Sequence, residues 1–224
     1  MPANLVVALD VNNRADAVAL ARTLIPATPW MKVGLELFTV SGPDIIKELK
    51  DMGGKVFLDL KFHDIPNTVA GAVKSAISAG ADICDIHACG GKAMCSAAAE
   101  AAVGSNCLVL GVTVLTSTAP QDINGSIPEM VVNYALQAQQ CGLGGVVCSG
   151  HEAAAVKAAT GNNFICLCPG IRPAGGQNND QQRVLTPLQA VQAGANYLVV
   201  GRPITRAANP YATAVEIINS YTGA

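Results

Sequence analysis

The segment FLDLKFHDIPNT, residues Phe57–Thr68, has the densest group of charged side chains in an otherwise apolar context. Asp59 and Lys61 are two residues apart in a predicted β-strand, so both side chains leave the same face of it. Asp64 follows just past this strand, and Lys32 lies in another apolar run, WMKVGL. Two carboxylates and two ammonium groups that alternate in a dry site hold one another ionised.

This charge pattern suits decarboxylation chemistry. A lysine kept protonated among carboxylates can deliver a proton to a carbanion, and a carboxylate beside a substrate carboxylate favours its expulsion as carbon dioxide. The alternative is a purely structural network of buried salt bridges. Such networks are costly to desolvate and give weak net stabilisation, which favours a chemical use.

A second group of residues indicates an anion site. Arg172 lies in the segment PGIRP, and Gly201 and Arg202 lie in the segment VGRPIT. Gly201 would allow close backbone approach, and a guanidinium offers a planar fork for phosphate oxygens. The polar residues 174–182 lie between the two segments and are typical of a loop that closes over a ligand.

The elements that must position these residues alternate along the whole chain. Near-continuous apolar runs, typical of parallel strands covered by helices, are separated by Ala-rich helical segments. The predicted strands are Leu5–Val11, Met31–Leu37, Lys55–Lys61, Ile83–Ala88, Cys107–Thr116, Gly145–Gly150, Phe164–Ile171 and Tyr197–Arg202. Helices are predicted from Pro43 to Gly53, from Pro66 to Gly80, and after Thr186 with Pro187 in the first turn.

Eight such units predict an α/β fold, a single (β/α)8 TIM barrel formed by residues 1–224. Active sites of this fold lie at the C-terminal ends of the strands, and phosphate sites recur after strands seven and eight. Polar residues are predicted at those ends: Asp10, Asp59, Lys61, His87, Thr116, Ser117, Ser149, Arg172, Gly201 and Arg202.

The amino-acid composition excludes several classes of protein. Half of the 224 residues are apolar, only 13% are charged, and the net charge is −2. We therefore expect a large core and no nucleic-acid partner. The N-terminus lacks a basic leader and no long uncharged apolar run occurs, which predicts no membrane association. The eight cysteines have no disulfide or metal-site spacing, so we expect buried thiols and a cytoplasmic location.

The chain resembles the orotidine 5′-monophosphate decarboxylase family. The resemblance rests on DLKFHDIPNT at residues 59–68 together with ALD, KVGLELF, TVLTS, PGIRP and GRP in the family's order, and it covers essentially the whole chain. It implies a cofactor-independent and metal-free carboxy-lyase that acts on orotidine monophosphate. It also implies a homodimer in which each subunit contributes to its partner's site.

The resemblance further implies roles for individual residues. Lys61 is expected to protonate the ring carbon, Asp59 to face the substrate carboxylate, and Lys32 to complete the array and contact the ribose. Asp64 and Thr68 are expected to reach the partner's site. The other expected substrate-binding residues are Asp10 at the ribose, Thr116 and Ser117 at the pyrimidine, and Arg172, Gln181, Gly201 and Arg202 on the phosphate side.

Two other functions stay open at this point. One is a magnesium-dependent decarboxylase or aldolase of sugar phosphates, which needs a further carboxylate at a strand end. Glu36, on predicted strand two, is the candidate for it. The other is a barrel that binds a phosphorylated ligand without catalysis. The roles of His63 and His87, as shaping residues or pocket residues, also stay open.

Overall fold

The computed structural model describes residues 3–173 and 184–223. Within these residues eight parallel strands form a closed barrel, in which each strand pairs with the next and the last pairs with the first. The strands are β1 Asn4–Ala8, β2 Trp30–Gly34, β3 Lys55–Phe62, β4 Ile83–His87, β5 Leu108–Val112, β6 Gly145–Val147, β7 Ile165–Cys168 and β8 Tyr197–Val200. The predicted (β/α)8 barrel is confirmed.

Helices follow the strands and cover the outside of the barrel. They are α1 Arg14–Leu24, α2 Leu35–Ser41, α3 Asp44–Asp51, α4 Pro66–Ala79, α5 Gly91–Ala101, α6 Ile127–Gln140, α7 Gly150–Thr160, α8 Pro187–Gln192, α9 Arg202–Thr205 and α10 Pro210–Thr222. The predicted start of α8 is confirmed, because the Thr186 hydroxyl accepts from the Gln189 backbone in a capping box.

Strand residues alternate between two apolar layers, as the two-residue period of a strand requires. On β1, Val6 and Ala8 point into the barrel, whereas Leu5 and Val7 pack under the helices. The interior layer is completed by Trp30, Phe57, Ile83, Leu110, Val112, Val147, Leu167 and Val199. This filled interior closes the lower part of the barrel, so a ligand can enter only above it.

Several strands end earlier than predicted. Predicted strand two, Met31–Leu37, was wrong at its C-terminus, because β2 ends at Gly34 and Leu35 begins α2. A short apolar run cannot distinguish strand from helix, and in α2 only Leu37 is buried. Likewise β5 ends at Val112 instead of Thr116, and β8 ends at Val200. The residues beyond these ends belong to the loops and helix starts above the barrel.

None of the helices among the described residues is both long enough and apolar enough to cross a membrane.

Candidate active site

A cavity of about 380 Å³ opens at the C-terminal ends of the strands. Phe57, Val112, Val147, Leu167 and Val199 of the interior layer form its apolar floor. The predicted site residues that line it are Asp10, Lys32, Asp59, Lys61, Thr116, Ser117, Arg172, Gly201 and Arg202. The barrel thus brings together side chains that are far apart in the sequence.

One wall of the cavity is a continuous chain of ion pairs. The Lys32 Nζ lies 2.8 Å from Asp10 Oδ1 and 3.3 Å from Asp59 Oδ2. The Lys61 ammonium contacts the other oxygen of Asp59. Asp59 and Lys32 are the least exposed members, with side chains 14% and 12% exposed. The order of charges in one subunit is therefore Asp10, Lys32, Asp59, Lys61.

The members of this chain hold one another ionised despite burial. Burial alone would lower the pKa of Lys32, but the Asp59 and Asp10 carboxylates raise it above its ordinary value. Burial alone would raise the pKa of Asp59, but Lys32 and Lys61 lower it below its ordinary value. Asp59 therefore stays a carboxylate, and Lys32 an ammonium, throughout the neutral pH range.

Lys61 occupies an unusual backbone position at the end of β3. Its φ is +50°, the left-handed region that a residue with a side chain rarely adopts. The pairing of β3 with β4 shifts register between Leu58 and Phe62, as in a β-bulge. The bulge directs the Lys61 side chain to Asp59, and the Lys61 backbone N–H donates to Asp85 Oδ1 at 2.8 Å.

Asp85 was missed in the sequence analysis. It is completely buried on β4, two residues before His87, and it faces the barrel interior. Burial, together with the negative charge of Asp59, raises the pKa of Asp85 well above its ordinary value. The signal was present in the sequence, because Asp85 lies in an apolar strand in the same way as Asp59.

The opposite wall of the cavity is basic. Arg172 is 7% exposed, and its Nη1 donates to the backbone oxygen of Ile171 at 2.9 Å. Burial and the positive charge of Arg202 lower the pKa of Arg172. Two guanidinium groups that repel each other at one end of a cavity are a favourable place for an anion, which would offset the repulsion.

Thr116 and Ser117 line the cavity between the charged wall and the basic wall. They lie in the loop after β5 and not on the strand itself. Hydroxyl groups at this point can bind a polar planar ring that rests on the apolar floor.

Asp64 and Thr68 have a different environment. Both are exposed in the single subunit, and neither lines the cavity. The Asp64 carboxylate accepts from the Ile65 backbone N–H at 2.6 Å. Within the described residues, Asp64 makes no ion pair with Lys32 or Lys61. Gln181 and the predicted closing loop, residues 174–182, lie outside the described residues.

The placement of Glu36 on strand two was wrong. Glu36 is exposed in the first turn of α2, because the chain turns at Gly34. It therefore does not provide the extra strand-end carboxylate that a magnesium site beside Asp59 would use. In the described part of the chain, no three His, Cys, Asp or Glu side chains form a group that could hold a metal ion.

His63 and His87 lie together beside the charged wall, with ring centroids 5.3 Å apart. Burial, with the nearby charges of His63 and Lys61, lowers the pKa of His87. His87 is therefore neutral at pH 7. Neither ring lines the cavity.

Gly34 is a second residue that the sequence analysis missed. A Cβ at this position would lie 2.8 Å from the Lys32 Nζ and 3.6 Å from Asp10 Oδ1. Its backbone is extended, so the position does not require glycine for its φ. The missing side chain instead leaves the space that the Lys32 ammonium occupies.

The comparisons with known proteins agree with this geometry. Residues 3–217 match the model of the Orotidine 5'-phosphate decarboxylase / HUMPS family. The chain therefore belongs to this family of TIM-barrel proteins.

Individual relatives are similar over nearly their full length. An orotidine 5'-phosphate decarboxylase of Nitratidesulfovibrio vulgaris (strain DSM 19637 / Miyazaki F) is 53% identical, with 93% of each chain covered. One of Streptococcus suis (strain 05ZYH33) is 46% identical, with 95% of this chain and 94% of the relative covered. The crystal structure of orotidine 5'-phosphate decarboxylase from Lactobacillus acidophilus is 35% identical, covers 99% of both chains and has a TM-score of 0.86.

The space at Gly34 can be tested by adding a methyl group to this residue. In Gly34→Ala the methyl group must displace the Lys32 ammonium, because the end of a flexible side chain moves more easily than the backbone of the barrel. Catalytic efficiency, measured as kcat/KM, should fall by about tenfold or more, since small displacements of reacting groups are costly. The melting temperature should stay near that of the unchanged protein.

Gly71→Ala is the matched control. Gly71 lies on α4, where a Cβ would meet no heavy atom within 4 Å. Alanine there should raise stability by up to about 1 kcal/mol and leave kcat/KM unchanged. Equal kcat/KM in the Gly34 and Gly71 variants would contradict the role given to the Lys32 position.

Proposed function

We propose that this chain decarboxylates orotidine 5′-phosphate to UMP and carbon dioxide, without metal or organic cofactor. The observation that carries the proposal is the Lys32–Asp59–Lys61 ion-pair chain, which faces two arginines across one cavity. The family and the names of relatives at 46–53% identity support the same substrate.

The basic wall binds the phosphate group in this proposal. Arg172 and Arg202 supply positive charge that a phosphate dianion neutralises, and Gly201 allows the nucleotide to approach the backbone. A Cβ at Gly201 would come within 3.4 Å of the Ala8 Cβ and 3.5 Å of Asp10 Oδ2. Phosphate binding energy can then hold the rest of the substrate against the charged wall.

The pyrimidine lies on the apolar floor between the two walls. Thr116 and Ser117 face the ring edge, whereas Asp10 and Lys32 reach the ribose. This orientation places the carboxylate of the substrate beside Asp59. Because Lys32 and Lys61 keep Asp59 ionised, two negative charges meet at the bond that must break.

The chemical step follows from this arrangement. The bond between the ring and the carboxylate breaks, carbon dioxide leaves, and the electron pair stays on the ring carbon. The Lys61 ammonium donates a proton to that carbon, which gives UMP and a neutral lysine. Lys61 then regains a proton from solvent. Positioned charges that stabilise a developing carbanion supply the catalysis.

The placement of Glu36 favours this reaction over a magnesium-dependent reaction on a sugar phosphate. The carboxylate that the metal would need is exposed on α2 and absent from the cavity lining. The position of the Asp59 carboxylate beside the substrate carboxylate also argues against a protein that only binds its ligand. Binding alone does not need two negative charges placed against each other.

We further propose a homodimer with shared active sites. Asp64 and Thr68 are exposed near the C-terminal end of β3, beside Ile65, which is 66% exposed. Leu35 and Leu115, which follow β2 and β5, are also exposed apolar residues at this end of the barrel. A second subunit that covers these residues would bring Asp64 and Thr68 into its own site.

The proposed setting is the cytoplasm, where UMP formation is the last step of de novo pyrimidine nucleotide biosynthesis. All eight cysteines are free thiols, and five of them are buried. Free thiols in this number are typical of a reducing compartment.

The activity is tested directly by mixing orotidine 5′-phosphate with the purified protein and following the loss of its ultraviolet absorbance. We expect turnover that is unchanged after treatment with a chelator. Loss of turnover on chelation, restored by magnesium, would indicate the metal-dependent alternative. Tight binding of the nucleotide without turnover would indicate a binding protein.

The shared site is tested by mixing two inactive variants, Asp64→Ala and Lys61→Ala. In mixed dimers one of the two sites would contain neither substitution, so about a quarter of the full activity should return in a statistical mixture. The controls are the same mixtures of each variant with itself. If mixed dimers form, as shown by tagged subunits, and no activity returns, Asp64 does not act across the interface.

A further inference from the structure

Asp85 is a completely buried acidic residue to which neither the family resemblance nor the proposed reaction gives a role. It faces the barrel interior from β4, between the apolar residue Ile83 and His87. Its side chain is completely buried, and Oδ1 accepts the Lys61 backbone N–H at 2.8 Å. It therefore lies directly beneath the two residues that carry the chemistry.

The second oxygen of Asp85 is the unexplained atom. Asp85 Oδ2 is buried and accepts no hydrogen bond from the described residues. The Asp85 carboxyl nevertheless interacts with that of Asp59, because Asp59 raises the pKa of Asp85 and Asp85 lowers the pKa of Asp59. Two carboxylate anions in contact have no proton to share and repel each other, whereas a neutral acid can donate to an anion.

We propose that Asp85 is a positioning residue that works as a neutral carboxylic acid, accepting from the Lys61 backbone through Oδ1 and donating from Oδ2 to Asp59. This inference rests on the proposed function, which gives Lys61 and Asp59 their roles in the reaction. A neutral Asp85 explains how three acidic residues can lie beside only two lysines in a largely buried site. The acidic residues are Asp10, Asp59 and Asp85, and the lysines are Lys32 and Lys61.

The first consequence concerns Lys61. Its left-handed φ of +50° and the register shift in β3 leave its backbone N–H outside the regular ladder. A buried N–H without an acceptor is costly, and Asp85 Oδ1 is the acceptor that removes this cost. Asp85 thus stabilises the backbone turn that directs the Lys61 side chain into the cavity.

The second consequence concerns Asp59. Lys32 and Lys61 already bind its two oxygens, and a donated proton from Asp85 adds a third neighbour that favours its ionised form. The other titratable groups near Asp85 are Lys61 on β3, whose positive charge lowers the pKa of Asp85, and Cys84 and His87 on β4. Since His87 is neutral at pH 7, Asp59 and Lys61 dominate the field at Asp85.

Kinetics of two variants test the positioning role. Asp85→Leu removes both oxygens at similar volume and should lower kcat by about 100-fold, because Lys61 loses its fixed geometry. The KM should change by less than about threefold, since the arginine wall is untouched. Asp85→Asn keeps an acceptor oxygen and a donor, and should restore kcat to within about threefold of the unchanged protein.

Asp82 provides the matched control. It accepts the Val56 backbone N–H of β3 at 2.7 Å and pairs with Lys50, at the opposite end of the barrel from the cavity. Asp82→Leu also removes a carboxylate that accepts from β3. It should lower the melting temperature and leave kcat unchanged.

Two measurements test protonation independently of turnover. The infrared spectrum of the unchanged protein at pH 7 should contain a protonated carboxylic acid band that shifts in deuterium oxide and disappears in Asp85→Asn. Thermal stability is the second measurement. The unfolded chain releases this proton near pH 3.9 whereas the folded chain retains it, so the unchanged protein should lose stability relative to Asp85→Asn as pH rises from about 4 to 7.

These readouts separate the inference from the proposed function. If the unchanged protein does not decarboxylate orotidine 5′-phosphate, the proposed function fails, while the infrared band and the pH dependence still decide the state of Asp85. Absence of the band, a pH-independent stability difference, or a kcat for Asp85→Asn as low as that of Asp85→Leu would each overturn the inference. If Asp85→Leu does not fold, the Asp85→Asn data alone decide it.

Discussion

The ion pair between Asp59 and its two lysines is the constraint on which the rest of the site depends. Removing an ion from water costs several kcal/mol even in a relaxed protein interior. Asp59 remains ionised there only because Lys32 and Lys61 contact its two oxygens. Loss of either lysine would leave an uncompensated buried charge, so the three residues form one electrostatic unit.

The barrel supplies the geometry that this unit requires. Parallel pairing places Gly34 of β2 opposite Asp59 of β3. The side chain of Lys32 can therefore extend past Gly34, where no Cβ blocks its ammonium, toward Asp10 and Asp59. The apolar layer below, which includes Phe57 and Val112, excludes water from the inner side of the array. The charged groups of the site therefore lie above an apolar layer that fills the barrel interior.

Much of this arrangement could be predicted from the sequence. The two-residue spacing of Asp59 and Lys61 predicts a shared face, and the eight apolar runs predict the barrel that turns this face inward. Asp10 was predicted near the ribose, and its ion pair with Lys32 was not foreseen. That contact depends on the pairing register of β1 with β2, which the residue pattern of a single strand does not contain.

Other features of the site could not be predicted from the periodicity of apolar residues in the sequence. The end of β2 at Gly34 depends on the tertiary packing of Leu37, the buried residue of α2, so Glu36 was placed on the wrong element. The left-handed backbone conformation at Lys61 could not be predicted either, because neither glycine nor asparagine occupies this position. Asp85 lies in the middle of β4 and not at the strand end, where the residues of barrel active sites are expected, although its side chain points to the same interior face as that of His87.

In the proposed reaction the charged wall performs the chemical step, whereas the arginine wall binds the substrate. This division of roles can be measured by single-turnover rates of orotidine 5′-phosphate decarboxylation at saturating enzyme, for Lys61→Ala and Arg202→Ala. Lys61→Ala should retain nucleotide binding and lose at least about 10³-fold in the rate of the chemical step, in the range of a lost general acid. Arg202→Ala should instead require far more enzyme to saturate and then react at a rate much nearer that of the unchanged protein. A Lys61→Ala rate close to that of the unchanged protein would show that Lys61 does not deliver the proton.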